Sequence, residues 1–199
     1  MLHIENNKLM QNVMLLAVLM IGLFFTGTVQ AQKDKLIAEY SAGKIKMGMT
    51  VAQARKAVSP MTISKGVDEY EGDMRHQIKL NGKTMMTILV GGTASSFKGR
   101  IVEIAVVDKS FKTSKGVSVG MLLSAAEKKY GKITEIRIED GGGGAEVATF
   151  TNQPKGIKFI LSVEGKGKRA GKYANDSETT TEYETGAKIS SIIVYDQGE

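Results

Sequence analysis

The sequence predicts an α+β protein built from two tandem repeats, each a short helix followed by a four-stranded antiparallel meander, with the helices on one face of a curved sheet. Two matched blocks carry this prediction. A helix-like block at residues 44–58 returns at 116–130, and a strand-like block at 99–108 returns at 187–196. In addition, short β-prone runs separated by turn residues fill the interval between the blocks in each copy. Two blocks that recur in the same order favour an internal duplication.

The two helix-like blocks read KIKMGMTVAQARKAV and GVSVGMLLSAAEKKY, and both place apolar residues at i, i+3 and i+7. These positions are Val51, Ala54 and Val58 in the first block and Leu123, Ala126 and Tyr130 in the second. Thr50 with Gln53 predicts a capping box at the start of the first helix. Leu122 stands where the second helix needs its cap, and Gly131 predicts where that helix ends. An extra leading helix is predicted over residues 35–42.

Eight strands are predicted, four in each copy. They lie at 61–64, 74–80, 84–90 and 99–108, and then at 133–139, 145–152, 157–163 and 187–196. Asn81-Gly82 predicts a two-residue type I′ hairpin, since that turn needs positive φ at both positions. In the last strand of each copy, Ile104 and Val106 align with Ile192 and Val194, and all four are predicted to face the core.

The first 31 residues resemble an export signal. Lys8 precedes an apolar run of thirteen residues, which is shorter than the roughly 20 that span a bilayer. Val29-Gln30-Ala31 fits signal peptidase, so cleavage is predicted after Ala31; an uncleaved anchor is the alternative. The predicted organisation is a signal peptide, 1–31, and a single domain, 32–199, made of two repeats at about 44–111 and 116–196.

The net charge and the absence of cysteine limit the cellular compartments and the kinds of partner that fit this sequence. The 199 residues carry 27 Lys and Arg against 21 Asp and Glu, a net charge of +6, which favours anionic partners such as lipid headgroups, polysaccharide or acidic proteins. The absence of Cys excludes disulfides, thiolate metal sites, a Cys nucleophile and a lipidated N-terminus. The prediction is a periplasmic or secreted protein that is not a lipoprotein, has no transmembrane anchor after cleavage and binds no nucleic acid.

Several of these strings resemble known families. Gly48-Met49-Thr50 with the helix and strands that follow resembles the unit of the SmpA/OmlA envelope proteins, and the tandem pairing is similar to the beta-lactamase inhibitor protein fold. Over residues 84–196, RIVEIAVVD, KGVSVGM, GIKFIL and KISSIIVY resemble the uncharacterised family typified by the envelope-stress (sigma-E)-regulated lipoprotein of enteric bacteria. That lipoprotein carries a lipobox Cys, which this chain lacks. The resemblance implies an envelope protein and supplies no catalytic residue.

Residues with catalytic or metal-binding potential are few. His76 is the one His beyond the predicted signal, and it is predicted to be an exposed residue on a polar strand face. One His and no Cys exclude the usual zinc and redox-metal sites, so no metal or cofactor is predicted. Four acids crowd one connection without EF-hand spacing: Asp68, Glu69, Glu71 and Asp73. They are interpreted as a solvated turn, with weak calcium binding as the alternative.

These observations predict a non-enzymatic binding module of the bacterial envelope, whose partner is another envelope protein or an anionic envelope component. The alternative is a carboxylate-dependent hydrolase acting on an envelope glycan. Asp108 and Asp196 occupy equivalent repeat positions and are the pair that such an enzyme would use, with carboxylates about 5–9.5 Å apart. Both are also explained as turn formers at strand ends, and we prefer this interpretation.

The candidate partner-binding residues lie in residues 164–186, where the second copy carries an insertion. The candidates are Lys166, Lys168, Arg169, Lys172, Tyr173 and Tyr183. The first half of this segment is basic and the second half is acidic. A mobile loop and a hairpin extension are the structural alternatives. Deletion of 166–184 is expected to abolish partner capture with the melting temperature nearly unchanged; if capture survives, the sheet face becomes the candidate.

Overall fold

The computed structural model describes residues 34–70, 72–92, 98–139, 144–175 and 177–196, and the predicted signal peptide lies outside them. Two helices are formed within these ranges, α1 (Val51–Ala57) and α2 (Leu123–Tyr130). The strands are β1 (Leu36–Ala38), β2 (Ser41–Ala42), β3 (Ile45–Lys46), β4 (Thr62–Ile63), β5 (Val67–Tyr70), β6 (Asp73–Leu80), β7 (Lys83–Val90), β8 (Ile101–Val106), β9 (Lys112–Thr113), β10 (Ile133–Glu139), β11 (Ala145–Phe150), β12 (Ile157–Ser162), β13 (Thr179–Thr180) and β14 (Lys188–Tyr195).

Most of the strands form one antiparallel sheet. Its order is β13-β10-β11-β12-β14-β8-β7-β6-β4, with β5 also pairing with β6. The α+β class and the antiparallel sheet are therefore confirmed, and each of the eight predicted strands is present to within two residues at either end. β14 and β8 meet near the middle of the sheet, where Ile193 lies opposite Ala105 and Ile192 lies opposite Val106.

The core lies on one face of this sheet. Ile104, Val106, Ile192 and Val194 are buried in it, as predicted. Both helices contribute to the same apolar cluster, and Tyr130 of α2 packs its ring against two phenylalanines of β11 and β12 at centroid distances of 6.1 and 5.6 Å. The helices therefore cover one face of the sheet and do not cover the other, which is called the uncovered face.

Local sequence signals at the turns and helix ends are confirmed. Thr50 Oγ1 accepts a hydrogen bond from the Gln53 amide at 3.3 Å, and the Gln53 side chain accepts one from the Thr50 amide at 2.9 Å. Leu122 makes no side-chain cap for α2, and Gly131 ends that helix at φ +84°. The Asn81-Gly82 turn has positive φ at both residues, as type I′ requires.

The predicted leading helix at 35–42 is wrong, because this stretch forms β1 and the start of a second, four-stranded sheet of order β3-β2-β1-β9. β1 pairs in parallel with β9, more than seventy residues away, with Ile37 opposite Thr113. Ile37 and Ile45 of this small sheet are buried in the common core. Burial against the core and a distant strand therefore decide the structure of this stretch, and neither is visible in its local sequence.

Two smaller predictions in the first half are also corrected. The connection at 65–73 contains a strand, β5, which pairs with β6. His76 lies opposite the buried Ile88 and so belongs to the covered face of the sheet. It is half-buried, with Nδ1 3.0 Å from the Ser64 carbonyl oxygen. The preceding residue, Arg75, lies on the uncovered face, because neighbouring residues of a strand point to opposite faces.

No helix among the described residues is long and apolar enough to cross a bilayer.

Candidate functional site

Residues 164–186 are called the arm, and their described part folds back on itself. Its outgoing and returning strands pair near Gly171 and Tyr183, where Lys172 N donates to Glu182 O at 2.9 Å and Glu184 N donates to Ala170 O at 2.8 Å. Of the two structural alternatives, the arm has the hydrogen bonding of a hairpin extension. Further along, β13 lies in the arm and pairs with β10 at the edge of the large sheet.

A buried carboxylate on the scaffold holds the basic half of the arm. Glu146 of β11 is 6% exposed and accepts hydrogen bonds from the amides of Ala170 and Gly171, at 2.6 and 2.8 Å. The Tyr173 hydroxyl donates a third hydrogen bond to it at 2.9 Å. Burial and this carboxylate raise the pKa of Tyr173, so the phenol stays a donor. Three donors on one carboxylate fix the backbone at this point.

A second carboxylate holds the returning half. Glu127 of α2 accepts a hydrogen bond from the Tyr183 hydroxyl at 2.6 Å and another from the Ile133 amide at 3.0 Å. Burial and Glu127 raise the pKa of Tyr183 to about 12. Tyr173 and Tyr183, proposed from the sequence as partner-binding residues, thus act as anchors: both are half-buried and both hydroxyls are bonded to the scaffold.

The basic candidate residues lie on the outside of this anchored backbone. Lys166, Lys168, Arg169 and Lys172 are all exposed. Among the described residues none of the four has an acidic side-chain oxygen within 4 Å, although Lys172 lies across from Glu182 in the hairpin. The guanidinium of Arg169 donates to the Gly144 carbonyl at the start of β11, which ties this side chain to the sheet. The arm therefore presents cations that the described protein leaves unpaired.

A cleft of about 760 Å³ opens at the base of the arm, bordered by Leu122 just before α2 and by Lys188 at the start of β14. Three cations line it, Lys168, Arg169 and Lys188, together with two carboxylates, Glu164 and Glu184. Lys188 pairs with Glu164 at 3.2 Å, but Glu164 is 89% exposed, so this ion pair is weak. The remaining lining consists of Leu122, Val163, Gly171, Thr185 and Gly186.

The contacts of Glu146 revise the expectation that the arm could be deleted without loss of stability. Removal of 166–184 takes away all three hydrogen-bond donors to Glu146, and it also removes Tyr173 and Tyr183, which pack against the core. Both losses should lower the stability of the fold. Charge reversal of exposed lysines is therefore the cleaner test of binding by the arm.

Sequence reasoning missed Glu146, Glu127, Leu122 and Lys188. A signal for Glu146 was present in the sequence. Glu146 lies on the same strand face as Ala148 and Phe150, which are both buried, so an acidic residue occupies a core-facing position. A signal for Leu122 was also present, because an apolar residue occupies the N-cap position of α2, whereas Thr50 occupies that of α1.

The two aspartates of the hydrolase alternative do not come together. β8 and β14 are antiparallel, so Asp108 follows one end of this pair and Asp196 the other. The register Tyr195 opposite Glu103 puts them about six residues apart along the sheet, or about 20 Å. A glycosidase needs its two carboxylates within about 9.5 Å.

Asp108 instead stabilises the turn that follows β8. It is 4% exposed, with Oδ1 accepting from the Ser110 amide at 2.9 Å and Oδ2 from Lys83 Nζ at 2.5 Å. Burial by itself would raise the pKa of Asp108, but the hydrogen bonds from Lys83 and Ser110 outweigh it and hold the pKa at about 2. The interpretation as a strand-end turn former agrees with these contacts.

Replacing Asp108 by Asn is expected to lower the free energy of unfolding at neutral pH by roughly 1–2 kcal/mol. Because the pKa is depressed on folding, the stabilisation is present above about pH 4 and is lost as the pH falls towards 2. Urea unfolding of wild type and variant between pH 2 and 7 checks this: the two curves should converge at low pH. The exposed Asp68→Asn is the control, and a constant gap at every pH would contradict the assignment.

The acidic residues of the β5–β6 region that the structure describes make separate contacts. Glu69 pairs with Arg75, and Asp73 accepts a hydrogen bond from the Gly92 amide at 2.5 Å. Asp68 is exposed, and Glu71 lies outside the described residues. Within the described ranges, no three His, Asp or Glu side chains are placed to share a metal ion.

The uncovered face of the large sheet carries a second set of side chains that sequence reasoning did not assign. In the first half Arg75 joins Glu69 and Glu103, and in the second half Glu139 joins Arg137 and Lys158. Burial alone would raise the pKa of Glu139, but the hydrogen bonds from its two cations lower it below the usual range. The charges of this face are therefore compensated within it, in contrast to those of the arm.

Comparison with known proteins places the fold only. No protein-family profile matches the chain, and no curated protein matches it. Among solved structures, the fold is similar to that of the uncharacterised protein YfeY from Escherichia coli, with a TM-score of 0.56 and 16% identity, over 80% of this chain and 99% of that one. The predicted likeness to an uncharacterised protein of enteric bacteria thus holds for the fold, and at this identity the similarity assigns no function.

Proposed function

We propose that this chain is an exported, non-enzymatic binding protein of the bacterial cell envelope, and that the basic half of its arm binds an anionic envelope component. One observation carries the proposal: three lysines, Lys166, Lys168 and Lys172, are exposed and unpaired among the described residues, while the backbone beneath them is held by Glu146. A partner would supply the missing negative charge.

The anchoring matters because it lowers the cost of binding. A free loop loses conformational entropy when a partner orders it, whereas a segment already fixed loses much less. Glu146 and Glu127 hold the outgoing and returning halves of the arm through the hydroxyls of Tyr173 and Tyr183. Recognition commonly uses loops of this kind on a rigid scaffold. The net charge of +6 adds long-range attraction for an anion.

The test is charge reversal with a matched control. Lys166, Lys168 and Lys172 are changed to Glu in one variant, and three exposed lysines elsewhere, Lys46, Lys56 and Lys155, are changed to Glu in the other. Saturable binding is measured to phosphatidylglycerol vesicles, to alginate as a polyanionic polysaccharide, and to polyglutamate as an acidic polypeptide. We expect at least one probe to bind wild type and the control variant and to lose at least tenfold in affinity for the arm variant. Equal loss in both variants, or no binding of any probe by wild type, would overturn the proposal.

Export belongs to the same proposal, supported by the short apolar run and by Val29-Gln30-Ala31. Mass spectrometry of the native protein from an envelope fraction should find an N-terminus at Gln32. Recovery of a membrane-bound form that keeps residues 1–31 would contradict it, and cytoplasmic accumulation of the full chain would do so as well.

The tandem-repeat architecture is also proposed, and three features support it. Gly48 N donates to Ile101 O at 2.8 Å, and Ile101 N donates to Met49 O; the second half has the same pair of bonds between Gly120 or Met121 and Ile189. Outward from the β8–β14 contact, β7, β6 and β4 follow on one side and β12, β11 and β10 follow on the other, with the two-residue β13 beyond β10. At that contact, Ala105 lies opposite Ile193, the residue 88 positions later and its equivalent in the alignment of the two copies.

A further inference from the structure

We propose that the cleft beside the arm is a site for an anionic amphiphile, with a phosphate or carboxylate headgroup at Lys168 and Arg169 and an alkyl chain against Leu122 and Val163. This inference rests on the proposed function, because it names the chemical class of the anionic partner. It differs from that function in depending on an apolar contact as well as on charge.

Leu122 is the first observation that points to such a ligand. It occupies the N-cap of α2, where it makes no capping hydrogen bond, and it is 47% exposed. In the first half Thr50 fills the corresponding place and caps α1 through its side chain. A leucine here therefore forgoes capping stabilisation and leaves apolar surface in water. A local rule broken without structural benefit is typical of a functional position, and this leucine lines the cleft.

The charges of the cleft are the second observation. Its two carboxylates do not neutralise Lys168 or Arg169 at short range, because Glu164 forms only a weak, exposed ion pair with Lys188 and Glu184 has no cation within 4 Å among the described residues. Lys168 and Arg169 are exposed and have no acidic partner in the same set. Arg169 is also held in place through its bond to the Gly144 carbonyl. Lys168 and Arg169 can therefore bind an anion, and an ammonium together with a guanidinium suits a phosphate or carboxylate group.

The arrangement of these groups selects an amphiphile over a simple anion. Leu122 and Val163 share the lining of the cleft with the cations, so one ligand can contact both kinds of wall. The cleft volume of about 760 Å³ lies within the range of small-molecule sites. An inorganic anion would leave the exposed leucine uncovered, whereas an alkyl chain of moderate length would remove it from water.

The experiment uses the mature protein and dodecyl phosphate below its micelle-forming concentration, measured by titration calorimetry. Inorganic phosphate and dodecanol are the comparison ligands. The informative variant is Leu122→Thr, which gives α2 the cap that α1 already has, so its melting temperature should stay the same or rise. We expect dodecyl phosphate to bind at one site, about tenfold more weakly to Leu122→Thr, and more weakly still when Lys168 and Arg169 are both changed to Gln. Phosphate and dodecanol should each bind much more weakly than dodecyl phosphate.

Phosphatidylglycerol vesicles form a second arm that identifies the source of the ligand. Vesicle binding with the same loss in Leu122→Thr would indicate a membrane lipid, and binding of the monomeric amphiphile alone would indicate a free one; both outcomes support the site. Equal affinity of wild type and Leu122→Thr for dodecyl phosphate would overturn it, as would the absence of saturable binding. In that case alginate or polyglutamate could still bind through the arm lysines, so this inference can fail while the proposed function holds.

Discussion

Replacing Glu146 by alanine is expected to lower the free energy of unfolding by about 3–5 kcal/mol. The substitution leaves the amides of Ala170 and Gly171 and the hydroxyl of Tyr173 without their acceptor. Ala170 and Gly171 are buried, so water cannot readily replace the carboxylate. Each buried donor left unsatisfied costs about 1–3 kcal/mol. Urea unfolding at neutral pH provides the measurement.

Two further variants make this result specific. Glu146→Gln keeps one acceptor oxygen, so its free energy of unfolding should fall by less than that of the alanine variant. Glu178→Ala removes an exposed glutamate from the same arm and should change stability by less than about 0.5 kcal/mol. If Glu146→Ala were no more destabilising than Glu178→Ala, Glu146 would not be holding the arm.

A fragment that ends at Lys112 is expected to have no cooperative fold as a monomer. It would lose β14, the partner of β8, and so expose a long strand edge in the middle of the sheet. It would also lose β14 residues such as Ile192 and Val194, which share the core with Ile104 and Val106. The fragment should show broad, poorly dispersed NMR signals and no sigmoidal thermal transition. A dispersed spectrum from a species of monomeric size would contradict the mutual dependence of the two halves.

Features set by neighbouring residues could be predicted from the sequence. The capping box of Thr50 and Gln53 and the Asn81-Gly82 turn depend only on residues close in the chain, and both are present. The core-facing residues at the ends of β8 and β14 were also predictable, because Ile104 and Val106 match Ile192 and Val194 in the two blocks and residues two apart share a strand face.

Features set by distant contacts could not be predicted. Residues 36–38 become a strand because β9 lies beside them, and nothing within KLIAEYSA indicates that partner. The basic half of the arm was recognisable from its composition, but its rigidity was not, since it depends on Glu146, some twenty-five residues earlier in the chain. The scaffold contacts of Tyr173 and Tyr183 could not be predicted for the same reason, since a tyrosine in a loop can face a partner or the scaffold and the position of an acceptor decides.

We propose that the arm binds its partner because it is held in place, and Glu146→Gln tests this by the sign of its effect on affinity. The substitution removes a negative charge beside the basic half of the arm, so attraction by charge alone would tighten binding of an anionic probe. Anchoring requires the opposite, because a loosened arm must be ordered when it binds. The measurement is the affinity of wild type and Glu146→Gln, both folded, for the anionic probe that binds wild type most tightly. We predict weaker binding by the variant; equal or tighter binding would mean that binding does not depend on the anchoring of the arm by Glu146.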